Sequence, residues 1–259
     1  MQVPAMVTAI VPVVNLPGIE SDKLVLNGPV LADIMSGAIS TWNHDSIKAL
    51  NPRLILPSLR IKPIARSDQS GATLALTSYL SKASPDFNTQ IGIGSLVKWP
   101  SAIQLSHSGD ALVSAIHGTP GAISYIEMDE GNIKRLSFAR IKHHSGSIVK
   151  ADIDFLKSGV VGTKAVSDAN GTESIVAVDL GQNWPILLPI YINLPQKSLN
   201  DERMSLALRF IYWIYAKGDD TIEQSGLVPL PVILQTLAVK KFRKMESSTG
   251  TPLVVNFDL

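Results

Sequence analysis

Apolar positions along this chain change period many times. Val7 to Val14 is an almost unbroken apolar run of strand length and reads as a buried β-strand. Asn15-Leu16-Pro17-Gly18 is a turn. Val30 to Ser36 has helical spacing, with Asp33 on its polar side and Gly37 as its stop. Asp45 to Leu50 predicts a second short helix, ended by Asn51-Pro52. Leu59 to Ile64 is β-patterned, and Thr73 to Lys82 is helical up to the break before Pro85. Asp110 to His117 is a short helix, Gly118-Thr119-Pro120-Gly121 a turn, and Ala122 to Ile126 a strand. Residues 131–182 are rich in Gly, Ser, Asp and Lys and carry weak periodicity, so no boundaries are set there. Trp184 to Leu194 is again β-rich and uncharged. Met204 to Ala216 is a strong amphipathic helix on which Leu206, Phe210 and Trp213 recur at helical spacing and are expected to face a core. Lys217-Gly218 closes it, Val228 to Pro231 is extended, and Val232 to Phe242 is a last helix.

Strands alternating with helices predict an α/β fold. Two uncharged strands, near residue 7 and near Trp184, bracket a segment of domain size. This is the pattern of two lobes joined by crossing strands, with a cleft suited to a ligand. Composition agrees with a well-packed core: 45% of the 259 residues are hydrophobic and 17% are charged. The formal net charge of +1 gives no reason to expect a nucleic-acid or membrane-surface partner. The absence of cysteine excludes disulfides, thiolate metal sites and cysteine nucleophiles. Residues 1–19 lack the basic start of a secretory signal, and Pro4, Pro12 and Pro17 interrupt their apolar run, which is also below a bilayer span. A strand so near the first residue predicts that a further segment once preceded it.

The stretch Ala65-Arg66-Ser67-Asp68-Gln69-Ser70-Gly71-Ala72-Thr73 carries the chemistry. It places an arginine at the end of one strand and Ser-Gly-Ala at the start of a helix. A helix start offers unpaired N–H groups and a positive dipole end. Gly71 permits close backbone approach, Ser70 adds a hydroxyl, and Arg66 adds a planar fork of donors matched to an oxyanion. Asp68 is placed to hold that guanidinium. The plainer alternative is that Ser70 only caps the helix and Arg66 only pairs with Asp68. The stretch lacks the Gly-Lys-Ser/Thr ending of a nucleotide-binding loop.

Other candidates are weaker. His44, His107, His117, His143 and His144 lack metal-ligand spacing, and His143-His144 is expected to be a solvated pair, so no metal is predicted. No Gly-x-Ser-x-Gly elbow is present. Asp129 and Glu130 are expected to be exposed acids, and Gly92-Ile93-Gly94 lacks the third glycine of a dinucleotide fingerprint. Trp42, Trp99, Trp184 and Trp213 are expected in the core or between lobes. No catalytic residue and no cofactor are assigned.

An ordered series of segments resembles the substrate-binding proteins of bacterial ABC-type phosphate uptake systems. Val11-Pro12-Val13-Val14-Asn15-Leu16-Pro17-Gly18 looks like that family's crossing strand and turn. Residues Leu31 to Asn43, Leu50-Asn51-Pro52, Arg66 to Thr73, Thr77 to Lys82 and Val97-Lys98-Trp99-Pro100 follow in family order. So do Pro120 to Tyr125, Trp184-Pro185-Ile186, Trp213 to Gly218 and Val228 to Pro231.

The resemblance implies a type II periplasmic-binding-protein fold with two α/β lobes. Residues 1–13 and 184–259 would form an incomplete first lobe, and 14–183 the second, which carries the anion motif. It implies a non-catalytic, monomeric receptor for inorganic phosphate that delivers its ligand to a membrane permease from the periplasm. Phosphate would be held by Arg66, Ser70, Gly71 and Ala72, with Asp68 bracing the arginine. Ala72 stands where the family has threonine, so one hydroxyl donor is lost. The family's N-terminal loops, and its aspartate that accepts the phosphate proton, have no counterpart in these residues. Selectivity for phosphate over sulfate therefore does not carry over. The alternatives are a truncated, weakly binding remnant of such a receptor and a phosphoryl-transfer or hydrolytic enzyme. If Met1 is the true start, the absent signal would leave the chain in the cytoplasm.

Overall fold

The computed structural model describes residues 1–163 and 181–257. In chain order it contains β1 (Gln2–Asn15), β2 (Val25–Leu26), α1 (Gly28–Ser36), α2 (Asp45–Leu50), β3 (Lys62–Arg66), α3 (Gly71–Ala83) and α4 (Pro85–Gln90). Then follow β4 (Gln104–Ser106), α5 (Gly109–His117), β5 (Ala122–Glu127), α6 (Met128–Ile133), β6 (Ser137–Phe138), β7 (Arg140–Lys142), β8 (Ile148–Val149) and α7 (Ile153–Val161). Beyond residue 180 come β9 (Leu187–Asn193), α8 (Asp201–Lys217), α9 (Asp219–Gln224), β10 (Val228–Pro229) and α10 (Val232–Phe242).

β1 organises the molecule. Its apolar run is longer than the predicted Val7–Val14 and serves two neighbourhoods. Gln2 to Ala9 pair antiparallel with β9, with a register shift between Pro4 and Met6 where proline breaks the ladder. Ile10 to Asn15 pair antiparallel with β5, and Met6-Val7 also pair with β10. The main sheet runs β10-β1-β5-β3-β4, with β6 and β9 also joined to β1. β3 lies parallel to β5 and to β4. The segment after Trp184 thus returns to the strand where the chain begins.

Local rules account for most boundaries. α1 starts at Asn27, whose side chain accepts from Val30 N–H, and ends on Gly37 at φ 85. α2 has the predicted ends. β3 begins later than the predicted Leu59 because Arg60 makes only an isolated bridge to Thr41. Trp42 and Trp184 are fully buried, and their indole N–H groups donate to the carbonyls of Gly121 (3.0 Å) and Ile10 (3.1 Å).

Three expectations are corrected. Leu206, Phe210 and Trp213 do not face the core: they are 58%, 61% and 44% exposed, and α8 buries Leu208, Ile211 and Tyr215 instead. Positions two apart on a helix lie nearly opposite one another, so α8 carries two apolar stripes of equal spacing, and packing against the sheet selects the other one. His143 is buried while His144 is exposed, so they are not a solvated pair. Asp129 and Glu130 are half-buried rather than exposed, and Asp129 accepts a 3.0 Å hydrogen bond from the Thr8 hydroxyl. The weakly patterned stretch 131–182 resolves into β6 to β8 and α7, with residues 164–180 outside the described ones.

Candidate functional site

β3 ends at Arg66 and α3 begins at Gly71, so four residues turn the chain from the sheet into the helix. Ser70 is extended (φ -141, ψ 132) and is the N-cap. Its hydroxyl accepts from Thr73 N–H at 3.4 Å, and its carbonyl takes Leu74 N–H at 3.2 Å. The N–H groups of Gly71 and Ala72, at the first two helical positions, have no acceptor within the helix. The capping alternative and the anion alternative are therefore compatible: a hydroxyl that accepts from Thr73 keeps its own proton to donate. The Ala72 methyl is buried in the core, so that residue offers only its backbone N–H.

Asp68 grips Arg66 with both oxygens. Arg66 Nε–H donates to Oδ1 at 2.7 Å and Nη2 to Oδ2 at 2.6 Å. The pair is bidentate, which fixes the guanidinium plane. It holds the Asp68 carboxyl below the usual carboxylate range and lifts Arg66 further above its own. Five guanidinium N–H donors less two leave three to bind something else, the two on Nη1 among them. Nη1 lies against Gly109 at the start of α5, with the Glu130 carboxylate beside the same glycine.

Residues not anticipated from the sequence complete the surroundings. Leu188 of β9 packs over the start of α3: a Cβ built on Gly71 would stand 3.0 Å from its Cδ1. Tyr125, at the C-terminal part of β5, accepts from Arg66 N–H at 3.1 Å and is hydrogen-bonded to Thr73 Oγ1 at 2.7 Å. Trp99 Nε1–H donates to the Arg66 carbonyl at 3.2 Å. The buried polar ends of Tyr125 and Trp99 require partners, but nothing in the sequence names them. Glu127 follows on β5, and burial, then its acidic neighbours Glu130 and Asp129, push its carboxyl upward while Arg66 pulls it down. Among the described residues no group of three or more His, Asp or Glu is placed to hold a metal, and no helix is long and apolar enough to cross a membrane.

The mixed sheet, threaded by one long strand, thus sets an anion-compatible helix start at the end of a strand. A PBP superfamily domain model matches residues 1–217. The chain is 34% identical over 232 residues to the phosphate-binding protein PstS of Haemophilus influenzae, covering 89% of this chain and 69% of that one. It is 31% identical to the PstS of Xylella fastidiosa strain Temecula1 (89% and 63% covered) and 30% to that of Pasteurella multocida (98% and 74%). The chain thus belongs to the phosphate-binding protein PstS family and spans roughly two thirds to three quarters of these relatives' length. Its fold is similar to that of a high affinity periplasmic phosphate-binding protein (PfluDING) bound with phosphate, at TM-score 0.70 and 18% identity, covering 91% of this chain and 69% of the other. A DING protein crystal structure gives 0.73 at 18% identity, covering 97% and 74%. These likenesses establish the type II periplasmic-binding fold.

Proposed function

We propose that this chain binds inorganic phosphate without transforming it, as a receptor for an ABC-type membrane permease. The observation that carries the proposal is the Arg66–Asp68 fork beside the open start of α3. Phosphate would take donors from the free guanidinium N–H groups, from the Gly71 and Ala72 amides and from the Ser70 hydroxyl. The related PstS proteins support the choice of phosphate among tetrahedral anions, and phosphate occupies the PfluDING structure. In the same reading residues 14–183 act as one lobe and 1–13 with 184–259 as the other. Leu188 then lies on the far side of the cleft, and the receptor acts as a single chain. Permease docking and a periplasmic site of action come from the family and stand as part of the proposal.

Titration calorimetry with phosphate tests it. Arg66→Ala removes two or more charge-assisted hydrogen bonds of about 1.5–3 kcal/mol each, so affinity should fall about 100-fold or more. Circular dichroism would show that the variant keeps its fold. No heat from the wild-type chain, or equal heat from both proteins, overturns the reading.

A further inference from the structure

We propose that the hydroxyl of Tyr125 is the element that sets the distance between Arg66 and the start of α3, and so positions the anion site without touching the anion. The inference rests on the phosphate-binding reading above. Its evidence is a three-way contact. The Tyr125 oxygen accepts from the backbone N–H of Arg66, the last residue of β3, at 3.1 Å. The same oxygen is 2.7 Å from Thr73 Oγ1, in the first turn of α3. A phenol can accept from one partner while donating to another, so one buried atom joins the strand that carries the guanidinium to the helix that carries the amides.

The surroundings leave this atom little freedom. Tyr125 is 1% exposed and Thr73 fully buried. The Tyr125 ring is fixed by packing: it lies 6.3 Å from the Trp99 ring, centroid to centroid, and Trp99 lies 6.5 Å from Phe87. Trp99 also holds Arg66, donating its indole N–H to the Arg66 carbonyl. Arg66 is thus pinned at its N–H by Tyr125, at its carbonyl by Trp99 and at its guanidinium by Asp68. Only the Tyr125 contact also reaches α3. The intervening residues Ser67, Asp68 and Gln69 are half-exposed or exposed turn residues and supply no equivalent tie. Positioning of this kind matters because binding groups lose much of their effect when displaced by a fraction of an ångström.

The experiment compares Tyr125→Phe, Thr73→Val, Thr73→Ser and Ser124→Ala in the full chain. Ser124, the neighbouring β5 residue, donates to the Ile64 carbonyl at 2.7 Å and so makes another β5–β3 bond that does not reach α3. Calorimetry should show phosphate affinity about 10-fold weaker for Thr73→Val, which loses the one bond to Tyr125, and at least about 10-fold weaker for Tyr125→Phe, which loses that bond and the one from Arg66 N–H. The double variant should be no weaker than Tyr125→Phe alone, since Tyr125→Phe already removes the contact that Thr73→Val removes. Thr73→Ser, which keeps the hydroxyl, should stay within about twofold of wild type. Ser124→Ala should also stay within about twofold, although it too loses a buried bond. Equal loss in Ser124→Ala and Tyr125→Phe would reduce Tyr125 to a general structural role and overturn the inference, as would unchanged affinity in Tyr125→Phe.

A second readout needs no ligand. In nitrogen-15 amide spectra of the free protein, the Arg66 backbone N–H held by Tyr125 should exchange faster with water in Tyr125→Phe, and at the wild-type rate in Ser124→Ala and Thr73→Ser. If the wild-type chain bound no phosphate, the functional reading would fall while this exchange pattern still decided whether Tyr125 positions Arg66. Wild-type exchange in Tyr125→Phe would overturn the positioning role even where phosphate binds.

Discussion

The two halves of β1 lead into unlike surroundings. From Ile10 onward the strand meets β5 and β6, and the β5–β3–β4 side of the sheet is packed with Ile64, Ile123, Tyr125, Leu76 and Trp42, all 0–1% exposed. Before Ile10 it meets β9, where Ile190 is 37% exposed, and the segments beyond carry the exposed Leu206, Phe210, Trp213, Val232 and Ile233. Both halves show similar apolar patterning. The difference teaches that periodicity identifies an element and its candidate faces, whereas burial of a face requires a partner. The proposed anion site belongs to the packed half, as its geometry demands. A guanidinium locked at 2.6–2.7 Å and a helix start tied by one phenol need a rigid frame.

Trp42→Ala should break the comparison most severely. It removes a fully buried indole and leaves the Gly121 carbonyl without its 3.0 Å donor, so a loss of about 3–5 kcal/mol is expected in denaturant unfolding. A loss below about 1 kcal/mol would mean that the packed half is not the stability core.

Glu127→Gln sharpens the comparison through pH. Burial raises the Glu127 carboxyl above its ordinary value of 4.5. A raised folded-state value favours the fold below the unfolded value and loses that advantage as pH rises through the folded one. The variant should therefore match wild type below about pH 4.5 and melt at a higher temperature near neutrality. Identical melting temperatures at pH 7 would contradict burial as the dominant influence on Glu127.

The smallest effect is expected on the open side. Phe210 is 61% exposed and stacks on Trp213 at 6.2 Å with an 11° interplanar angle. Phe210→Ser should change stability by only about 0.5 kcal/mol. A loss of 2 kcal/mol or more would show that this stripe is buried in solution and would erase the contrast between the halves.

Much of the fold was legible beforehand, for identifiable reasons. Asp45–Leu50 and Val232–Phe242 were placed to the residue because Asn51-Pro52 ends the first and the prolines before Val232 open the second. The Arg66–Thr73 motif was visible as a strand end followed by Ser-Gly at a helix start, and its local geometry, cap and Asp68 brace are found in the structure. The order of short motifs indicated the family, and the matched PBP domain and PstS relatives show it.

What the sequence determined by itself was therefore local or ordered along the chain: caps, turns, the alternation of strands and helices, and the donors clustered within eight residues. Tertiary structure decided everything that depends on which surfaces meet. It chose Leu208, Ile211 and Tyr215 over Leu206, Phe210 and Trp213 on α8, because two stripes of equal period cannot be ranked without knowing the partner. It also brought Tyr125, Trp99 and Leu188 to Arg66 and Gly71 from distant parts of the chain. Hydrogen bonds and packing across such separations leave no spacing in the sequence to read, since they arise only once the sheet has aligned its strands.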